Sequence, residues 1–438
     1  MDVQAAEFPS SPVSPRRWQR LVNILGPTLI TLLVAAGTLE LGLRHFYQLI
    51  PLPVCASDYI LGNYYCQPYF IYDKPVQLGY RYEPNMHFEG WWDPADPYLT
   101  DVGRETAPSD RSDAFWYVFE TDNMGFPNSE PAWQDAYDII VTGDSFVTRS
   151  APQTWIELLA AQTGQRILTL GASSWSPMNE VEAVKQFGLD KQPKWVILLY
   201  FEGNDLLNVQ QYLQKQASGL DWREYDLRQV PWYRRLVVYH LLRYYLGGQP
   251  DETAEPPRYR YPVTINTEAG QLPTVFKDSH LLPLSADYNT LAASREFAHI
   301  SAALLEVRDA VVAANGRFLL VYVPSKEHVT WSRIWDPADV NNVLERTVTV
   351  SLDEAGWLQW ESGYLDYNTF SSNIEAQARL LGDFAAANDI ALLDLTPALW
   401  EQTIATGELY HYADPHWNQA GNQLVADLIA AWITQAPR

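Results

Sequence analysis

Three short apolar runs of this chain each end in a small glycine-containing motif, and this pattern constrains the fold more than any other feature. Ile139-Ile140-Val141 precedes Gly143-Asp144-Ser145, residues 167–170 precede Gly171, and residues 196–201 precede Gly203-Asn204-Asp205. Short apolar runs that alternate with helical stretches are typical of buried strands in a parallel α/β sheet. The carboxyl ends of parallel strands meet at one edge of the sheet, so we expect the three motifs to lie together there.

The rest of the chain continues this alternation. The predicted strands are residues 138–142, 167–170, 195–201, 317–323 and 390–395. Amphipathic helices are predicted over 297–311 and 424–432, because their apolar residues recur with the helical period. We therefore expect an α/β domain over residues 131–438. Its insertions, at about 206–290 and 325–370, follow strand ends, where inserted segments generally shape access to a site.

Acyl transfer to a serine needs a nucleophile, a base and oxyanion donors. The motifs at the strand ends supply these groups, together with Asp414-Pro415-His416 near the end of the chain. Ser145 is a candidate nucleophile, and His416 is a candidate base that Asp414 can orient. The candidate oxyanion donors are the amides of Ser145 and Gly171 and the side chain of Asn204. A serine at a strand-to-helix turn also points its N–H out of the helix N-terminus, toward developing negative charge.

Each of these residues also has a purely structural explanation. Ser145 is a typical cap for the helix expected next, and Asp414 is suited to cap a helix that starts near Asn418. Gly171 is suited to a turn, and Asn204 to a loop. Asp-x-His is also a metal-ligand pair, but no third ligand follows with metal-like spacing, so no metal and no cofactor are expected.

One segment near the N-terminus is suited to a membrane. Residues 21–39 carry no charge and span about 28 Å as a helix at about 1.5 Å per residue, enough to cross a hydrocarbon core. Arg16, Arg17 and Arg20 precede the segment, whereas Arg44 stands alone after it. The positive-inside rule then places the N-terminus in the cytoplasm and the bulk of the chain outside.

This interpretation divides the first part of the chain into three segments. We predict a cytoplasmic tail over 1–20, a transmembrane anchor over 21–43 and an extracytoplasmic juxtamembrane segment over 44–130. A cleaved signal peptide is the alternative, although no small-x-small cleavage site stands out after the apolar run.

The two cysteines indicate the redox compartment of the segment that contains them. Cys55 and Cys66 follow the predicted anchor, and in an extracytoplasmic segment such a pair most simply forms a disulfide loop.

The net charge of −23 at pH 7 argues against nucleic acid as a partner, because phosphate binding needs a basic surface.

The aromatic and basic stretch 232–240 does not fit the core pattern. It is either a helix that lies at the membrane surface or a helix that packs over the edge of the active site, and the second is favoured in a chain so rich in tyrosine.

The four motifs, in this order, resemble those of the SGNH (GDSL-type) hydrolase superfamily over roughly residues 121–434. The resemblance implies a flavodoxin-like three-layer α/β/α sandwich, here preceded by the transmembrane helix. It also implies that Ser145 is the nucleophile and His416 the base, oriented by Asp414. The amides of Ser145 and Gly171 and the Asn204 side chain would then form the oxyanion hole.

The last motif departs from the commoner form of the superfamily, in which Asp lies three residues before His. Here Asp414 lies two residues before His416, and Trp417 follows. This Asp-x-His-Trp form and the Pro-x-Lys-Glu stretch at 324–327 resemble the membrane-associated branch that contains the alginate O-acetyltransferases.

We therefore expect a membrane-anchored, extracytoplasmic serine ester hydrolase that acts on an ester or an acylated glycan through an acyl-enzyme on Ser145. The alternative is an O-acetyltransferase that modifies a cell-envelope or exported polysaccharide with the same residues, and it would need a membrane protein that supplies the acyl group. A third interpretation is a membrane-tethered glycan-binding module on a degenerate hydrolase fold, which the intact Ser, His, Asp and Asn disfavour.

Overall fold

The computed structural model describes residues 15–51, 54–55, 59–66, 70–72, 78–92, 114–129, 133–246, 261–407 and 409–435. They fall into two compact units. The first comprises Met1–Pro68 and Gln229–Asp251, and the second comprises Tyr69–Arg228 and Glu252–Arg438. Of the predicted cytoplasmic tail, residues 1–14 lie outside the described residues, and residues 15–20 belong to the first helix.

All described strands belong to the second unit. They are β1 (Phe70–Tyr72), β2 (Tyr80–Tyr82), β3 (His87–Trp92), β4 (Phe115–Glu120), β5 (Ile139–Thr142), β6 (Ile167–Thr169), β7 (Trp195–Phe201), β8 (Tyr261–Thr267), β9 (Gly270–Phe276), β10 (Arg317–Val323), β11 (Val348–Leu352), β12 (Leu358–Ser362) and β13 (Ala391–Asp394).

The described α-helices of five or more residues are spread over both units. They are α1 (Pro15–His45), α2 (Trp155–Thr163), α3 (Pro177–Ala183), α4 (Asp205–Ser218), α5 (Trp222–Gln229), α6 (Val237–Leu246), α7 (Asp278–Leu284), α8 (Tyr288–Ala293), α9 (Arg295–Ala313), α10 (Lys326–Thr330), α11 (Pro337–Leu344), α12 (Tyr367–Asn373), α13 (Ala376–Ala387), α14 (Thr396–Thr406) and α15 (Gln419–Gln435).

Five parallel strands form the central sheet, in the spatial order β13-β10-β7-β5-β6. They are the five strands predicted from the apolar runs. Counted along the chain, the order is 2-1-3-4-5, which is the flavodoxin-like arrangement. The predicted α/β fold is therefore confirmed, and the carboxyl ends of β5, β6 and β7 meet at one edge as expected.

Helices cover both faces of this sheet, because alternate side chains of each buried strand point to opposite sides. Ile140 packs in the core on one side with Leu304 of α9, and residues of α3 and α13 belong to the same core. Val141 packs on the other side with Ile429 of α15, together with residues of α2 and α14. The result is a three-layer α/β/α sandwich.

The two helices predicted from periodicity are α9 and α15. Ser294 caps α9 by accepting a hydrogen bond from the Phe297 N–H at 3.2 Å, and the helix ends shortly before Gly316. Asn418 caps α15 by accepting from the Ala420 N–H at 2.9 Å. Both predictions are confirmed.

The strands that precede residue 131 also pack on this core. Tyr80, Tyr82 and Phe119 belong to the same buried cluster as Ile140. The first four strands pair as the antiparallel sheets β1–β2 and β3–β4.

The predicted insertions carry most of the remaining structure. Residues 206–290 include nearly all of α4, all of α5–α7, the start of α8 and the hairpin β8–β9, while 247–260 lie outside the described residues. Residues 325–370 include α10, α11, the hairpin β11–β12 and the start of α12.

In the first unit, α1 contains a stretch that is long and apolar enough to cross a membrane. It covers Leu25–His45, and only 6% of its most apolar part is buried, which differs from a core helix. A signal sequence at the N-terminus would have the same length and composition. The predicted anchor over 21–43 coincides with most of this stretch.

The first unit also contains the disulfide and the stretch 232–240. Cys55 and Cys66 are bonded to each other, as predicted, with their Cα atoms 5.8 Å apart. Residues 232–240 form the 3-10 turn Trp232–Arg235 and the start of α6, and α6 packs against α1.

Candidate active site

Ser145 lies just past the carboxyl end of β5 and opens a single 3-10 turn, Ser145–Val147. The Asp144 carboxylate caps this turn by accepting a hydrogen bond from a backbone N–H at 3.1 Å. The expected α-helix does not begin here, and the Ser145 amide stands instead at the start of this short 3-10 turn. A capping box of Thr154 and Glu157 sets the start of α2 further along the chain.

His416 reaches Ser145 from the other end of the chain. Its Nε2 atom lies 2.7 Å from the Ser145 Oγ atom, and its Nδ1 atom lies 2.6 Å from Asp414 Oδ1. The same carboxylate oxygen accepts a hydrogen bond from the His416 backbone N–H at 2.9 Å. Asn418, and not Asp414, caps α15, so the structural explanation of Asp414 as a helix cap does not hold. The carboxylate of Asp414 is directed to His416. The three side chains form one hydrogen-bonded line.

Aromatic packing holds the imidazole ring in this position. The ring of Phe146, next to the serine, lies 4.9 Å from the ring of His416 and 4.6 Å from the ring of Trp417. Trp417 is fully buried, and its carbonyl oxygen accepts a hydrogen bond from the Ser150 hydroxyl at 3.0 Å. The turn after the serine and the loop that carries the histidine are thereby joined.

Gly171 lies against the backbone of the serine motif. A Cβ atom at this position would overlap the carbonyl oxygen of Gly143 and the side chain of Val147, so only glycine fits. The close approach of the two backbones brings the end of β6 to the turn that carries Ser145. The structural explanation of Gly171 as a simple turn residue does not account for this contact.

Asn204 follows β7 and reaches the serine motif through Asp144. Its Nδ2 atom donates to Asp144 Oδ2 at 3.2 Å, and the Ser145 hydroxyl lies at the same distance from that oxygen. An amide nitrogen carries two N–H groups, and this contact uses one of them. Asp144 therefore contacts both the Asn204 amide and the Ser145 hydroxyl, while Asp205 secures the loop by accepting from the Phe201 N–H at 2.8 Å.

The local charges favour a protonated His416 facing an ionised Asp414. Burial alone would lower the pKa of His416, but the charge and hydrogen bond of Asp414, and then the charge of Asp144, raise it above its ordinary value. Burial would likewise raise the pKa of Asp414, but His416 holds it well below its ordinary value. The pair is therefore arranged to stabilise the imidazolium that forms when a histidine accepts a proton.

A buried lysine, which was not among the predicted site residues, supports the loop that carries Asp414. The Lys326 Nζ atom donates to the carbonyl oxygens of His411 at 2.9 Å, Tyr412 at 2.8 Å and Asp414 at 3.4 Å. The sequence showed this lysine only as part of the Pro-x-Lys-Glu stretch. A charged residue three positions after an apolar strand was the available signal.

The next residue, Glu327, anchors the segment after β9. It accepts hydrogen bonds from the Lys277 N–H at 2.7 Å and pairs with His280 Nδ1 at 3.2 Å. Burial would raise the pKa of Glu327, but His280 and then Lys326 lower it to about 2. The carboxylate is therefore ionised, and it links the two insertions at the sheet edge.

Two buried carboxyl groups lie near Asp144. Burial and then the charge of Asp144 raise the pKa of Glu180 well above its ordinary value, while burial and then Glu180 do the same for Asp205. Among the described residues, neither oxygen of Glu180 has a hydrogen-bond partner. This arrangement favours a protonated carboxyl group and so limits the negative charge near Asp144. The position of Glu180 in a short helix, α3, carried no sequence signal for burial.

The second insertion forms one wall of a concavity of about 390 Å³ at the carboxyl ends of β10 and β13. Trp331, Tyr367 and Trp400 line it, together with the carboxylate of Glu375. In the part of the chain that the structure describes, no three His, Cys, Asp or Glu side chains are grouped to hold a metal ion.

No protein-family model matches this chain, and no curated protein matches it. Solved structures with a similar fold include an acetyl xylan esterase, at 12% identity, with a TM-score of 0.30 and coverage of 67% of this chain and 99% of that chain. A lipase/acylhydrolase from Enterococcus faecalis is 11% identical, with a TM-score of 0.31 and coverage of 67% and 94%. A GDSL-like lipase from Bacteroides thetaiotaomicron is 11% identical, with a TM-score of 0.29 and coverage of 68% and 88%.

Proposed function

We propose that this protein is a membrane-anchored, extracytoplasmic serine ester hydrolase. The observation that carries the proposal is the hydrogen-bonded line from Ser145 through His416 to Asp414. With Nδ1–H donated to Asp414, a neutral His416 presents the lone pair of Nε2 to the Ser145 hydroxyl, as a general base must.

The reaction proceeds through an acyl-enzyme. The Ser145 Oγ atom attacks the ester carbonyl carbon while His416 takes the hydroxyl proton, and His416 then gives that proton to the alcohol as the C–O bond breaks. Water attacks the acyl-enzyme next: His416 accepts a proton from the water and returns it to Oγ as the carboxylic acid leaves. Serine and histidine are regenerated.

The oxyanion of each tetrahedral intermediate needs donors next to the nucleophile. We assign the amides of Ser145 and Gly171 and the Nδ2 group of Asn204 to this role. The close approach of Gly171 to the serine turn and the contact of Asn204 with Asp144 support the assignment.

Features of the first unit support the proposed location. The apolar stretch Leu25–His45 would anchor the chain, and the arginines before it favour a cytoplasmic N-terminus. The bond between Cys55 and Cys66 supports an oxidising compartment for the residues after the anchor.

An O-acetyltransferase is the second candidate function, and the Asp414-Pro415-His416-Trp417 form favours it. It uses the same acyl-enzyme, but a sugar hydroxyl replaces water in the second step. A partner membrane protein would then supply the acyl group. The choice between the two depends on which acceptor reaches the ester carbon.

The test uses the full chain in lipid nanodiscs with a chromogenic acetyl ester. Mass spectrometry of the quenched reaction should find an acetyl group on Ser145, and Ser145→Ala should abolish turnover. Ser372→Ala, at an exposed serine of α12, is the matched control and should keep wild-type activity. Turnover of Ser145→Ala within twofold of wild type would refute the proposal.

Rising concentrations of oligosaccharide acceptors then separate the two functions. A hydrolase should release acetate at a rate that is indifferent to the acceptor. A transferase should form acetylated oligosaccharide at the expense of acetate, and that result would favour the second candidate.

A further inference from the structure

The helix α6 is attached to the end of the apolar stretch of α1. The Glu40 carboxylate is buried and accepts hydrogen bonds from the N–H groups of Val237 at 3.1 Å and Val238 at 2.9 Å, which are at the start of α6. Arg44 pairs with Glu40 at 2.6 Å and donates to the carbonyl oxygen of Arg235 at 2.7 Å. These bonds hold the N-terminus of α6 against the last turns of α1.

One face of α6 packs inward, and the opposite face is apolar and exposed. Val237 and His240 are buried. Leu242, Tyr245 and Leu246, which share one side because they are three and four residues apart, are 53%, 59% and 80% exposed. An exposed apolar helix face next to a candidate membrane span is a feature of interaction surfaces, since water disfavours such a patch.

The composition of this segment matches the interface of a membrane. Trp232 and Tyr233, just before α6, are also exposed, and tryptophan and tyrosine favour the head-group level of a bilayer. The segment 229–250 contains no Asp or Glu, although the chain as a whole has a net charge of −23, and its arginines are Arg234, Arg235 and Arg243. Basic residues beside an apolar face favour anionic lipid head groups.

We propose that the turn Trp232–Arg235 and α6 form an interfacial element that lies on the bilayer surface where α1 leaves it. Leu242, Tyr245 and Leu246 insert into the boundary between head groups and acyl chains, and the positive charge of the segment attracts the phosphates. The occupant of this surface is a phospholipid bilayer that contains anionic lipid. The proposal rests on the membrane anchoring of α1 that is part of the proposed function.

The test places a nitroxide label at single introduced cysteines in the full chain, reconstituted in phosphatidylcholine–phosphatidylglycerol vesicles. The native cysteines are bonded to each other and do not take the label. Leu246→Cys probes α6, Leu29→Cys probes α1, and Val312→Cys, at a residue of α9 that is 59% exposed, is the matched control in water. The readout is the ratio of collision rates with oxygen, which partitions into lipid, and with a water-soluble nickel complex.

We expect this ratio at residue 246 to be several-fold above that at residue 312, with the highest ratio at residue 29. Equal ratios at 246 and 312, with a high ratio at 29, would overturn the interfacial element and leave the anchor in place. A low ratio at 29 would overturn the anchor and this inference with it. The ester hydrolysis rate of each labelled protein, compared with wild type, verifies that the fold is kept.

Discussion

The ammonium group of Lys326 lies 2.9 Å from the carbonyl oxygen of His411, and 85 residues separate the two along the chain. The same ammonium donates to the next carbonyl, so one buried cation holds the backbone that leads into Asp414. Asp414 in turn orients His416. Lys326 is therefore a positioning residue, which acts on the site through the loop and not by contact with a substrate.

Lys326→Met should lower kcat by roughly 10- to 100-fold with little change in KM, because small displacements of a general base are costly. The free energy of unfolding should fall by about 1–3 kcal/mol, since buried carbonyl groups lose their donor. Steady-state kinetics and denaturant unfolding measure the two effects. Lys194→Met, at a side chain that is 70% exposed, is the matched control. An unchanged kcat would show that the loop holds its position without this cation.

Asn204→Ala should lower kcat by roughly 10²–10³-fold, or about 2.7–4 kcal/mol of transition-state stabilisation, if its amide stabilises the oxyanion. Asn208→Ala is the matched control, because Asn208 lies one turn later in α4 and donates to the carbonyl of Trp175 at 3.2 Å instead. A loss confined to KM would assign Asn204 to substrate binding alone.

The pH dependence of kcat/KM should report the protonation of His416, whose pKa Asp414 raises. A general base must be neutral, and Asp414 raises the pKa of His416, so kcat/KM should fall as pH drops through a value above about 6.5. Asp414→Asn removes the charge that raises this pKa and should move the midpoint downward, with a lower plateau. The comparison needs kcat/KM from about pH 5 to 9 for both proteins. A midpoint that does not move would contradict the assignment.

Stability should depend on pH through His328. Burial alone would lower the pKa of His328, but Glu202, whose Oε2 lies 2.9 Å from Nδ1, raises it to about 10. Between about pH 6.5 and 10 the folded protein therefore holds a proton that the unfolded chain has lost. The stabilisation is complete below about pH 6.5 and is lost as pH rises through about 10.

His328→Gln should remove this dependence. The free energy of unfolding should therefore fall more steeply with rising pH in the wild type than in the variant, and the two slopes should differ by up to about 1.36 kcal/mol per pH unit. Denaturant unfolding at several pH values between 7 and 9 measures the difference. His87→Gln, at a side chain that is 55% exposed, serves as control. Equal slopes for the wild type and His328→Gln would show that this histidine does not carry the effect.

Cys55 and Cys66 should be bonded to each other in protein taken from membranes without reductant. Alkylation followed by peptide mass spectrometry should modify neither residue before reduction and both after it. Free thiols in native material would be incompatible with the proposed extracytoplasmic location.

The sequence by itself determined the central sheet and the residues that could carry the chemistry. Runs such as Ile139-Ile140-Val141 are apolar throughout because the strand is buried on both faces, and this property is visible in a few adjacent residues. The glycine at 171 and the pair Cys55–Cys66 were also recognisable, since both depend on residue type and position. The 3-10 turn that Ser145 opens was not recognisable, because a capping box that starts nine residues later, at Thr154, sets where α2 begins.

Only the tertiary structure decided which distant groups meet. Three features depend on segments that are far apart in the chain. They are the distance between Ser145 and His416, the bonds from Lys326 to the loop before Asp414, and the burial of Glu180. The attachment of α6 to α1 through Glu40 is of the same kind. Local patterns encode burial and periodicity, whereas a hydrogen bond between segments arises only after the layers of the fold have packed.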